Sequence, residues 1–180
     1  KAWYVYQWDA LPVRLTQKQF SPLIPGNYRE SSYPVGVFEW TLENPTAEPV
    51  TIGLMFSWQN MVGWGWNKDG EGGNYNVAVQ QNGVTGVVFT RPGEAVSEEW
   101  DGSWAIVTAQ QPGVEVSYRS RFPLTQGGGT WADFSADGRL DNIDDKSPAQ
   151  PAEQIAGAVA VTVKLPPGQT RTVPFALAWD

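Results

Sequence analysis

Apolar and polar residues alternate with a period of two along much of this chain, and turn residues punctuate the alternation at short intervals. Val35–Leu42 alternates and stops at the turn signal Glu43-Asn44-Pro45, and Val50–Trp58 follows at hairpin distance. Tyr75–Gln81 and Val84–Thr90 flank Asn82-Gly83, the dipeptide favoured where both central residues of a tight turn need positive φ. Ser103–Gln110 and Val114–Arg121 flank Gln111-Pro112-Gly113, and Ala156–Leu165 and Thr170–Trp179 flank Pro166-Pro167-Gly168-Gln169. The pattern therefore predicts at least four antiparallel hairpins. Repeated short strands of this kind predict an all-β sandwich or barrel, and the lack of a fixed repeat argues against a propeller.

Helical periodicity is nearly absent. Pro92–Trp100 is bounded too closely by Gly and Pro, and Thr130–Asp137 could make a single helical turn. Gly63–Asn74 and Asp137–Glu153 read as long surface loops, the second rich in Asp, Pro and Ala.

Composition narrows the chemistry. With 180 residues the chain fits one domain able to bury a core without staples, and its charged fraction of 17% is too low, beside 41% hydrophobic, for disorder. A net charge of −7 opposes binding to nucleic acid or to anionic lipid. There is no Cys and no His, so disulfides, thiolate nucleophiles, Cys/His zinc sites and a Ser-His-Asp triad are excluded. No cofactor is expected. No apolar run reaches the ~18–20 residues needed to span a bilayer. The start at Lys1-Ala2-Trp3 shows no signal peptide and reads as mid-strand, which suggests a piece of something longer. The absence of Cys does not settle the compartment; of the two, we favour a cytoplasmic location over a secreted one.

Carboxylates could form a glycosidase pair. Most candidates (Glu43, Glu98, Glu99, Asp101, Asp133, Asp137, Asp141, Asp144, Asp145) fall in loops or turns, where solvated acids are ordinary. Glu39, between Phe38 and Trp40, should project from the strand face opposite those two rings. No acid and nucleophile pair is identifiable. Asp137–Asp145 fails the EF-hand pattern, with Arg139 at the third position and Pro148 at the twelfth. Gly127–Gly129 and Gly70–Gly73 lack the Lys-Ser/Thr that follows a phosphate loop.

Ten Trp, seven Phe and six Tyr supply either core packing or sugar-stacking platforms. Trp58-Gln59-Asn60 continues into Gly-flanked Trp64 and Trp66. This segment is the candidate for carbohydrate binding or a domain interface. Trp58 leans toward the core, while Trp64 and Trp66 are evenly balanced. Trp100, Trp104, Trp131 and Trp179 fit core or interface positions.

Five blocks carry a family resemblance. They are Phe20–Asn27; Ser31–Asn44; Leu54–Asn60; Trp131–Leu140; and Pro167–Thr170 with Val173–Asp180. In this order they resemble the N-terminal domain of the non-lysosomal glucosylceramidase or bile-acid β-glucosidase family, glycoside hydrolase family 116. The resemblance implies an antiparallel β-sandwich over residues 1–180, part of a longer N-terminal domain. It also implies a C-terminal (α/α)6 catalytic barrel in the same polypeptide, retaining hydrolysis of β-glucosides including glycolipids, and no catalytic residue in this chain. An excised domain would expose the surface that packs on the barrel, and that surface would drive self-association. The rival expectation is a stand-alone carbohydrate-binding module using exposed Trp residues.

Overall fold

The computed structural model describes residues 1–7, 9–63, 72–92 and 102–180. The chain forms an all-β antiparallel sandwich. Its strands are β1 (Ala2–Tyr6), β2 (Arg14–Phe20), β3 (Val35–Glu43), β4 (Val50–Gln59), β5 (Tyr75–Gln81), β6 (Val84–Thr90), β7 (Trp104–Ala109), β8 (Val114–Pro123), β9 (Ile155–Leu165) and β10 (Thr170–Trp179). One sheet has seven strands in the order β1-β2-β3-β10-β7-β6-β5, and the other has three, β4-β9-β8. A short helix, α1, spans Tyr28–Ser31. A longer one, α2, spans Gly127–Asp137, three turns where the sequence suggested one. The pattern had not singled out β2, because Arg14-Leu-Thr-Gln-Lys-Gln-Phe20 carries polar residues on both faces.

Only one expected hairpin forms as drawn. β5 and β6 pair across Asn82 and Gly83, both left-handed at φ 52° and 76°, the combination whose twist matches the flanking strands. The other three short connections carry the chain from one sheet to the other: β3 to β4, β7 to β8, and β9 to β10. Their turns hold at most one left-handed glycine (Gly113, Gly168) beside prolines, so nothing local imposes the hairpin twist. Asn44 staples two of these crossings. Its Nδ2 donates to the carbonyls of Glu48, Leu165 and Pro166, and its Oδ1 accepts from Thr46 N and Oγ1.

The core lies between the sheets, where the small sheet covers β5, β6 and β7 and, through Phe56 against Phe38 and Phe175, also meets β3 and β10. Its side chains are the inward alternate residues, such as Leu42, Val87, Phe89, Ile106, Val159, Val161 and Phe175. β9 is buried on both faces. Its Val159, Val161 and Val163 face the large sheet, while Ala156, Ala158 and Ala160 face a second cluster with Phe122, Phe134 of α2 and Leu140. Small side chains on that face leave room for the large ones of the covering helix. At Gly53 of β4 a Cβ would sit 2.9 Å from Gly138 Cα, so the chain leaving α2 touches the strand backbone directly.

The stretch after α2 is a loop, as expected, but it straps the sandwich edge. Asn142 Oδ1 accepts from Tyr118 N, the Ile143 carbonyl from Ser120 N, and Asp144 Oδ1 from Ala78 N. Edge amides of β8 and β5 are thereby satisfied, which removes one exposed pairing surface.

Candidate functional site

The segment that the sequence singled out begins where β4 ends. In β4 the even residues Ile52, Leu54, Phe56 and Trp58 point inward, so Gln59 points outward. Trp58 packs against the main core, its ring 6.3 Å from both Phe56 and Trp104, and its buried indole N–H has no hydrogen-bond partner among the described residues. Trp104 in turn lies 5.7 Å from Trp179, which is 38% exposed. A line of rings therefore runs from the core to the rim at this end of the sandwich. The same rim holds the end of β10, where Asp180 Oδ1 accepts from Ser103 N and Oγ.

Asn60 is buried and its amide is fully engaged. Nδ2 donates to the Tyr75 and Thr90 carbonyls and to Asn76 Oδ1, while Oδ1 accepts from Val62 N and Asn74 Nδ2. Asn76, wholly buried in β5, passes the network on to the Ser120 and Ala156 carbonyls at 2.7 and 3.1 Å. Ser120 lies in a β-bulge of β8. Three asparagines thus knit the ends of β5 and β6 in the large sheet to the end of β4 and to β8 and β9 in the small one. The signal for this in the sequence is a lone Asn at an inward strand position, which apolar packing alone does not account for.

Trp64 and Trp66 lie outside the described residues, as do Trp100, Glu98, Glu99, Asp101 and most of Pro92–Trp100. Trp131, expected in the core or at an interface, stands 59% exposed on α2 with its ring 5.7 Å from Phe134.

The acids are mostly held by cations. Glu39 lies on the outer face of β3, as its alternation predicted, 2.5 Å from Lys18 Nζ. Glu43 pairs with Arg14, Asp141 with Arg119, and Lys146 with Asp144. Arg121 bridges Asp145 at 3.9 Å and Glu153 at 2.7 Å. Hydrogen bonds from the Ser147 side chain and N–H, aided by Arg121, hold the Asp145 carboxyl below its ordinary range against a smaller effect of burial. Asp133 on α2 has a buried Oδ2 without a hydrogen-bond partner among the described residues. Among the described residues, no group of three or more acids, Cys or His is placed to hold a metal.

Fold and site together define a two-sheet antiparallel domain whose polar interior is structural and whose rim is aromatic. The profile of the family described as beta-glucosidase 2, glycosyl-hydrolase family 116 N-term, matches residues 1–180. The chain belongs to that family of glycoside hydrolase N-terminal domains. A solved structure described as "Putative kojibiose phosphorylase from human microbiome" aligns over 93% of this chain at 9% identity with a TM-score of 0.40. The chain spans 16% of the length of that phosphorylase.

Proposed function

We propose that this domain is the non-catalytic β-sandwich of a β-glucosidase, that it packs on a C-terminal catalytic barrel of the same polypeptide, and that it helps shape the entrance to the active site. The family match over residues 1–180 carries this reading. Substrates would be β-glucosides, including glycolipids, with both reacting carboxylates supplied by the barrel. The segment from Gln59 through Trp64 and Trp66 is the part we assign to the entrance; Trp58 packs in the core behind it and Asn60 anchors its start. The test uses a chromogenic β-glucoside with the isolated chain and with the whole gene product. We expect turnover by the whole protein only, and a raised KM with kcat nearly unchanged for Trp64→Ala or Trp66→Ala in it. Turnover by the isolated chain above background would overturn the reading, as would a gene product with no second domain.

A further inference from the structure

The large sheet overhangs the small one. β4 is an edge of the small sheet, and its Phe56 reaches Phe38 of β3 and Phe175 of β10, with ring centroids 5.0 and 5.8 Å away. β2 and β1 continue the large sheet past that edge. Register carries the inward rows of β3 onto them: Phe38 to Gln19 and Ala2, Trp40 to Gln17 and Tyr4, Leu42 to Leu15 and Tyr6. Tyr4 and Tyr6 are 46% and 38% exposed, so the inward face meets solvent here as a ledge.

The ledge sets rings beside amides. Tyr6 and Trp40 stack across β2 with centroids 5.4 Å and planes 29° apart, and Gln17 lies between Tyr4 and Trp40 in the register. Gln17 is 8% exposed. Its Oε1 accepts from Gln19 Nε2 at 2.6 Å, and its own Nε2 has no hydrogen-bond partner among the described residues. Gln19 Oε1 and the hydroxyls of Tyr4 and Tyr6 are likewise unengaged among the described residues. A face that served packing alone would be more stable with an apolar residue in place of a nearly buried, half-satisfied glutamine.

Charge and area define what such a ledge can hold. No side chain in the three rows is charged; Lys18 and Glu39 lie on the opposite face and pair with each other. On a chain of net charge −7, rows without a cation would not hold an anion. The rings offer a flat apolar surface, and the amides and phenols offer donors and acceptors beside it. That combination complements a pyranose, whose C–H face is apolar and whose rim is hydroxylated. Three strands ~4.8 Å apart and five residues long cover on the order of 200 Å². This is room for one or two sugar rings, and well short of the ~600 Å² per partner of the smaller stable protein complexes.

We propose that Tyr4, Tyr6, Trp40, Gln17 and Gln19 form a binding site for a neutral saccharide, an inference that does not depend on the function proposed above. Tetranitromethane nitrates exposed tyrosines, and mass spectrometry of the peptides reads each ring separately. The chain would be treated alone and with cellobiose, maltose or the anionic glucuronate, with Tyr28, 88% exposed, as the internal reference. We expect cellobiose or maltose to slow nitration of Tyr4 and Tyr6 at least about fivefold, as loss of access to a stacked ring would. Glucuronate should give no protection, and Tyr28 should react at the same rate throughout. Gln17→Leu should abolish the protection, with Gln19→Leu in its place if that variant does not fold. Unchanged rates with both disaccharides would overturn the site, as would equal slowing of Tyr28, equal protection by glucuronate, or protection that survives the substitution. Tyr4 already shielded in the whole gene product without sugar would assign the ledge to another part of the polypeptide and overturn the inference. Shielding in the isolated chain that disappears on dilution would assign it to a second copy, with the same consequence.

Discussion

Asn76 shows how much one polar side chain can hold. It is wholly buried, and its amide joins Asn60 of the β4 end to the carbonyls of Ser120 and Ala156 in the small sheet. Truncation takes the amide donor away from two carbonyls in a low-dielectric interior, while Asn60 Nδ2 keeps the Tyr75 and Thr90 carbonyls. Asn76→Ala should therefore cost about 3 kcal/mol, the sum of a few unsatisfied groups, as measured by urea unfolding. An unchanged midpoint would mean the network is dispensable. Asp145 supplies a pH signature. Its carboxyl is held below the ordinary value by Ser147 and Arg121. A carboxyl with a depressed folded pKa adds stability above its unfolded value near ~3.9 and loses it as pH falls through the folded pKa. Asp145→Asn should flatten the stability of the chain across that acid window, with little dependence on pH above about 5, as followed by thermal melts. At this scale the sequence was partly legible. The outward projection of Glu39 follows from alternation, whereas the partners of Asn60 and Asn76 come from strands distant in sequence and only pairing brings them together.

The strands from Val35 onward were legible as elements because a half-buried sheet imposes a period of two. Their partners were less so. A three- or four-residue connection serves equally to reverse a strand within one sheet or to cross to the facing sheet, and only Asn82-Gly83 carries the paired left-handed geometry that decides the matter locally. Helix α2 was underestimated because Gly127–Gly129 is a poor helix start in isolation. Tertiary packing overrides that cost, since Phe134 and Leu140 fill the space over the alanines of β9. Removing the larger of these anchors should be expensive. Phe134→Ala is expected to destabilise the chain by about 3–4 kcal/mol, read by chemical denaturation. Gly157 is an inward counterpart, where a Cβ would lie 2.8 Å from the Ser120 carbonyl oxygen and from Val87 Cγ1. Gly157→Ala should cost about 2 kcal/mol through overpacking, and a neutral result would show that the sheets can separate at this point.

For the whole molecule, the two sheets differ in how they are finished. The small one is covered by the large sheet on one face and by α2 on the other, while the large one carries two apolar rows on its outward side, Val35-Ala178-Ala105-Val88-Val77 and Val37-Ala176-Val107-Gly86-Val79. The isolated chain, in its native state, should bind 8-anilinonaphthalene-1-sulfonate, and Ala176→Glu should weaken that binding without changing the near-ultraviolet circular dichroism. Native-state binding that ignores the substitution would place the apolar surface elsewhere. The sequence by itself determined an acidic all-β chain without imidazole or thiol chemistry, together with the family, because alternation, composition and ordered motifs are properties of the chain. Tertiary structure alone decided which strands share a sheet, that the asparagines form one network, and that Val and Ala from five strands align into one outward surface. Each of these depends on register between segments far apart in the chain, and register is fixed only when the core closes.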